Sequence, residues 1–205
     1  KKEDVKKLEK LIQKWDSILK DEYHANDSGV NVTLVKKEEN HKVFSKDTTF
    51  KAIKIMNLIP DGVDTYSIEM KGLVQSSTNL GVVTTEGDKI VFASSTRSSV
   101  ETLKTKLLDE IADVAEVLGG EFEIQAPYPA WQYNPDSKIR ELCSNVYKNM
   151  TGKEPEIIAI HAGLECGLLG EKIEGLDMIS FGPNMYDVHT PNEHVSISSV
   201  KNVWD

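Results

Sequence analysis

Two short stretches near the C-terminal end concentrate the side chains best able to do chemistry. His161-Ala162-Gly163-Leu164-Glu165-Cys166-Gly167 follows the apolar run Ile157-Ile158-Ala159-Ile160. Further on, Phe181-Gly182-Pro183 leads through Asp187-Val188 to His189-Thr190-Pro191-Asn192-Glu193. Each sets polar groups where an apolar run ends, the usual place for a site in an open α/β sheet. His189 has Asp187 two residues before it and Glu193 four after it. An imidazole beside a carboxylate suits a divalent metal, because an acceptor on the second ring nitrogen fixes the tautomer. By spacing alone, a histidine satisfying backbone groups in a tight loop accounts for His189 better, since a lone His is a weak metal signal.

Three other groups carry a chemical reading and a plain one. His161 and Glu165 flank Gly163, where a turn would aim Glu165 and Cys166 into a cleft and exposed amides near Gly163 and Gly167 would hold an anionic or oxyanionic group. The plain reading is a strand-to-helix turn with a capping Glu. Arg97 ends a strand in a chain with two arginines, among Ser94, Ser95, Thr96, Ser98 and Ser99. Its guanidinium can grip a carboxylate in a bidentate fork, as a peptide C-terminus would require; the alternative is a surface arginine. Cys166 with His161 or His189 would suit a cysteine hydrolase, but no familiar cysteine-protease sequence surrounds it.

The elements that must position these groups follow from periodicity. Val5, Leu8, Ile12, Trp15 and Leu19 recur at helical spacing and predict a helix over 3–24, ended by Asn26-Asp27-Ser28-Gly29. Val30, Val32 and Leu34 alternate as a short strand would. A second helix is predicted from about Thr48 to Leu58, capped by Asp47 and stopped by Pro60-Asp61-Gly62, and residues 63–77 fit neither strand nor loop clearly. Residues 80–85 and 90–93 read as a hairpin across Glu86-Gly87-Asp88-Lys89. A long helix follows, capped by Ser98 or Ser99, lined by Leu103, Leu107, Ile111, Val114 and Leu118, and closed by Gly119-Gly120, with a strand at 121–125 after it. Pro127, Pro129 and Pro135 mark a linker and a domain boundary. Beyond it the sequence predicts a helix at 137–150, a buried strand at 156–160, a short helix opened by Gly163, a buried strand at 177–181 and a terminal helix from about Ser198. The fold class expected is α/β: an α+β part over 1–125, then a β/α part over 126–205.

Composition narrows the function classes. Hydrophobic residues make up 39% and charged residues 28% of the 205, which suits a soluble globular protein. No apolar run approaches the roughly 20 residues of a membrane helix, and no secretory leader is evident, so a cytoplasmic location is expected. Cys143 and Cys166 are expected to be reduced thiols. Residues 1–54 hold 13 Lys against 10 acids, while the remainder holds 11 basic against 23 acidic residues. The Lys-rich start reads as a solvated helix face, and the acidic body argues against a nucleic-acid partner.

The His161–Gly167 and Gly182-Pro183…His189-Thr190-Pro191 segments, with Ser77-Thr78-Asn79-Leu80-Gly81-Val82-Val83, Arg97-Ser98 and Ala126-Pro127-Tyr128-Pro129-Ala130-Trp131, resemble the co-catalytic zinc metallopeptidases. That family includes carnosinase, carboxypeptidase G and aminoacylase, and the resemblance is nearest to its aminoacyl-histidine (Xaa-His) dipeptidase branch. It extends from about Ser76 to Asp205 and is weaker upstream. It implies that residues 1–125 are the later part of a lid, or dimerisation, domain and 126–205 the returning part of a phosphorylase/hydrolase-like catalytic domain. It also implies that His189 is a metal ligand, and that Arg97, Asn79, His161, Glu165, Cys166 and Gly167 border the substrate. Two zinc ions, with manganese or cobalt as substitutes, would serve hydrolysis of a dipeptide. The other ligands and the general base of such relatives lie far upstream; no His-x-Asp motif occurs here, and Glu38-Glu39 sits in a Lys-rich polar stretch unlike theirs. No residue of this chain is therefore expected to be catalytic. The expectation is a fragment of a longer dipeptidase, inactive by itself, with possible homodimerisation through the lid. The rival is a non-enzymatic interaction or oligomerisation module that keeps the fold without a complete metal site.

Overall fold

The computed structural model describes residues 4–36, 42–160 and 164–204. Two compact units emerge, residues 1–45 and residues 46–205. His161 and the Glu38-Glu39 pair lie outside the described residues.

The first unit is built on helix α1 (Val5–Tyr23). Its chain reversal is an Asx turn, in which the Gly29 N–H donates to Asp27 Oδ1 at 3.0 Å. The strand expected at 30–34 does not form. A ladder needs a second chain to receive its backbone groups, and here the Val32 N–H is taken by a side chain, donating to Asp16 Oδ1 of α1 at 2.8 Å.

The second unit contains helices and antiparallel strands. Helix α2 (Lys46–Leu58) precedes strands β1 (Gly62–Tyr66), β2 (Val74–Glu86) and β3 (Lys89–Ser98). These form a three-stranded antiparallel sheet in the order β1-β2-β3. The β2–β3 turn is tight because Gly87 takes φ of 63°, the left-handed conformation that matches the strands' twist. Helix α3 (Glu101–Val117) packs on β2 and β3. Leu107 is 1% exposed, and the sheet meets it with hydroxyls: Ser76 is 0% and Thr78 2% exposed. Those hydroxyls are satisfied. Ser76 Oγ donates to Asp64 Oδ2 at 2.9 Å, and Thr78 Oγ1 pairs with Thr96 Oγ1 at 3.0 Å. Asp64 also accepts from Lys106 of α3 at 2.8 Å, so β1, β2 and α3 share one polar knot.

After α3, helices α4 (Lys138–Thr151), α5 (Glu165–Lys172) and α6 (Ile197–Trp204) alternate with extended chain and a short hairpin, β4 (Met185–Tyr186) with β5 (His194–Val195). Helix α4 begins at Ser137, whose side chain accepts from the Arg140 N–H at 3.2 Å, and ends at Gly152 with φ of 70°. Residues 121–125, 156–160 and 177–181 differ from expectation: they form no ladder among the described residues, and Phe181 is 74% exposed. An apolar run supplies hydrophobicity, but a strand exists only where a neighbour accepts its backbone hydrogen bonds.

Candidate metal and substrate site

The β4–β5 hairpin exists to hold a seven-residue loop, 187–193, that carries His189. Tyr186 and His194 form its neck, paired in the ladder and stacked with ring centroids 5.1 Å apart and planes at 21°. Inside the loop several backbone and side-chain groups bond one another. The Asp187 carbonyl accepts from the Thr190 N–H at 3.1 Å and from its hydroxyl at 2.7 Å. Thr190 Oγ1 accepts from the Asn192 N–H at 3.2 Å, and the Thr190 carbonyl accepts from the Glu193 N–H at 3.1 Å. Below the neck, the Ser196 N–H donates to the Asn184 carbonyl at 3.0 Å and the Asn184 N–H to Ser199 Oγ at 2.9 Å, which ties the hairpin to the start of α6.

This tight wiring holds two non-glycine residues at positive φ, Asp187 at 52° and His189 at 66°. Each such residue costs about 1–2 kcal/mol, and strain of this kind collects where a side chain must be aimed. The two nearby carboxylates are spent otherwise than their spacing suggests. Glu193 Oε2 accepts the His189 backbone N–H at 2.8 Å, and Asp187 Oδ2 stands 3.8 Å from His194 Nδ1. Among the described residues, none hydrogen-bonds the exposed His189 ring. A metal would therefore find both ring nitrogens accessible.

The second group gathers at the start of α5. Leu164 caps the helix in extended conformation, and Glu165 stands in the first turn, where a negative charge suits the helix dipole. Cys166 lies partly buried with Sγ 4.0 Å from the Ile179 carbonyl oxygen. Gly167 is buried, and a Cβ there would come within 2.9 Å of the Pro129 carbonyl oxygen and 3.6 Å of the Tyr128 ring. Its small size thus serves a close approach of α5 to the 128–129 segment. Burial, then the neighbouring Glu165 and Cys166, push the Tyr128 phenol above its usual pKa. Sequence reasoning passed over Tyr128 as a site neighbour; its place in the proline-rich linker was the available signal.

The third group lies on the sheet. Arg97 pairs with Ser77 and Ser95 with Asn79 in the β2–β3 register, so Arg97 and Asn79 share one face as diagonal neighbours. Ser76 and Thr78 point the other way, into the α3 contact. The structure thus brings Arg97 and Asn79 together, and brings Glu165, Cys166 and Gly167 together. Arg97, Cys166 and His189 stand on three separate elements, β3, α5 and the β4–β5 loop. His194 and Tyr186 are the residues that spacing did not reveal; only the pairing of β4 with β5 makes them neighbours.

Comparison with known proteins decides the family. Residues 10–204 match the description of peptidase family M20/M25/M40.

The chain belongs to peptidase family M20/M25/M40.

Among its M20 relatives, the cytosol non-specific dipeptidase of Escherichia coli (strain K12) is 31% identical over 199 residues, which are 96% of this chain and 41% of that protein. The crystal structure of aminoacylhistidine dipeptidase from Vibrio alginolyticus superposes with a TM-score of 0.82 at 33% identity, covering 99% of this chain and 41% of that one. The chain therefore spans about two fifths of the length of these M20 proteins. The mixed helix-and-sheet architecture matches the M20 dipeptidase fold, as the expected fold class required.

A metal ion fits the donor chemistry at one point. The His189 imidazole is exposed and unclaimed by the described residues, while no group of three or more His, Cys, Asp or Glu among those residues could hold an ion. Among the described residues His189 is thus a single available donor. No helix among the described residues is long and apolar enough to cross a membrane.

Proposed function

We propose that this chain is part of a metal-dependent dipeptidase of the M20 family, acting on dipeptides of the Xaa-His type. The observation that carries the reading is His189, held at positive φ on a hydrogen-bonded hairpin loop with its ring left open, in a chain that matches the family over residues 10–204. When bound, two zinc ions, or manganese or cobalt in their place, would supply carbonyl polarisation and an activated water. The chain's own part is to offer the His189 imidazole and to grip the substrate. Arg97, with Asn79 beside it, receives the free carboxylate, and His161, Glu165, Cys166 and Gly167 border the pocket. Residues 1–125 serve as the later part of the lid, through which two copies would pair, and residues 126–205 as the returning part of the catalytic domain. The location is cytoplasmic.

Helix α4 supports the reading that more polypeptide completes this fold. Leu142, Val146 and Met150 recur along one stripe and are exposed, Leu142 to 62%, where an apolar stripe ordinarily faces a core. The isolated chain is thus expected to hydrolyse nothing and to bind zinc weakly. The same stripe would also serve a non-enzymatic interaction module, which is the second reading.

The test is hydrolysis of Xaa-His dipeptides by the full-length polypeptide, with zinc or manganese and a chelator control. Chelator-sensitive activity that disappears in His189→Ala and in the 205-residue chain supports the dipeptidase. No hydrolysis of a broad dipeptide panel by the metal-loaded full-length protein overturns it in favour of the interaction module.

A further inference from the structure

We propose that Glu193 is the positioning residue for His189, acting through the main chain. The inference rests on the reading of His189 as a metal ligand and adds how that ligand is aimed. His189 occupies the left-handed region at φ of 66°, which a residue with a Cβ enters only when its surroundings hold it there. The hold is visible. Glu193 Oε2 accepts the His189 N–H at 2.8 Å, a bond that crosses the loop and holds the peptide plane from which the imidazole projects.

Glu193 is itself anchored on both sides. Its N–H donates to the Thr190 carbonyl at 3.1 Å, and the next residue, His194, is paired with Tyr186 and stacked on its ring. The backbone that carries the carboxylate is therefore tied to the hairpin neck. Its Oε2 is committed to a backbone amide, so the role assigned to it here is to hold the main chain. What the contact requires is an acceptor oxygen at this place, not a charge, so glutamine can stand in where alanine cannot.

Two readouts on the full-length polypeptide test this. Zinc affinity is measured by competition with a chromophoric chelator, and exchange of the His189 amide hydrogen is followed by NMR. Both are compared in wild type, His189→Ala (affinity only), Glu193→Ala and Glu193→Gln. Glu193→Ala is expected to weaken zinc binding roughly 10- to 100-fold, as loss of a ligand's support does, and to speed His189 amide exchange. Glu193→Gln is expected to stay near wild type in both. Equal damage by Gln and Ala to zinc affinity, with slow exchange kept in Gln, would overturn the proposal, because the charge would then act on the metal itself. Unchanged affinity and unchanged exchange in Glu193→Ala would also overturn it. If His189→Ala leaves zinc affinity intact, the ligand reading fails; faster His189 exchange in Glu193→Ala would then still uphold the positioning contact.

Discussion

Asp177 caps a helix that lies well before it in the chain: its Oδ2 accepts the N–H of Ile139, 38 residues upstream, at 2.9 Å. The bond from Ile139 is the main reason its carboxyl titrates below the usual carboxylate range, with the Ser137 hydroxyl next. A carboxyl whose folded pKa is depressed adds stability above its unfolded pKa and loses it as pH falls through the folded value. Thermal melts of wild type and Asp177→Asn should therefore differ at about pH 7 and converge toward about pH 2. A gap that is constant with pH would show that the carboxylate charge contributes nothing to α4.

Gly167→Ala should destabilise the fold by about 1–3 kcal/mol, the usual cost of overpacking a closed site. The added Cβ meets the Pro129 carbonyl oxygen at 2.9 Å, a backbone atom that cannot swing aside. A lower urea midpoint with an unchanged slope would bear this out. An unchanged midpoint would mean that the 128–129 segment yields freely.

Asp64 and Lys106 should be unequal partners. Lys106 pairs with Asp64 at 2.8 Å, and Asp64 also receives the fully buried Ser76 hydroxyl. Asp64→Ala breaks the carboxylate side of that buried network, a loss of about 1–3 kcal/mol. Lys106→Met removes a partly exposed ion pair and should cost about 0.2–1 kcal/mol. Chemical denaturation of both variants checks the ordering; equal losses would place the energy in the ion pair alone.

Arg97→Met should raise KM for dipeptides with a free C-terminal carboxylate by roughly 10- to 100-fold in the full-length polypeptide, the worth of a charged hydrogen bond. Substrates amidated at that carboxylate should show no such difference between wild type and variant. Equal losses on both substrate sets would argue that Arg97 supports the sheet rather than the substrate.

Helices were largely legible from periodicity, because a helix carries its hydrogen bonds within its own sequence. The stretches expected near 3–24, 48–58, 98–118 and 137–150 correspond to Val5–Tyr23, Lys46–Leu58, Glu101–Val117 and Lys138–Thr151. Strands were legible only where the partner was adjacent. The Gly87 turn announced the β2–β3 hairpin and Arg97 marked the end of its second strand, yet the start of the first at Val74 was hidden because Ser76, Ser77 and Thr78 look like loop composition. The apolar runs at 121–125, 156–160 and 177–181 looked more strand-like than that hydroxyl ladder and formed none. For the site, the place of His189 in a loop was legible from Pro183 and Pro191. Which atom each carboxylate would hold was not, since four-residue spacing does not distinguish a ring nitrogen from a backbone amide.

The hydroxyl-lined contact between α3 and the sheet bears on how this layer responds to temperature. Ile59, Leu107 and Ile111 are the buried apolar side chains among the described residues, and Ser76 and Thr78 lie deeper than Ile59 and Ile111. Exposing apolar surface raises heat capacity on unfolding, whereas exposing polar surface lowers it. The stability curve of such a layer is shallow, so chilling removes little of its strength and warming erodes it gradually.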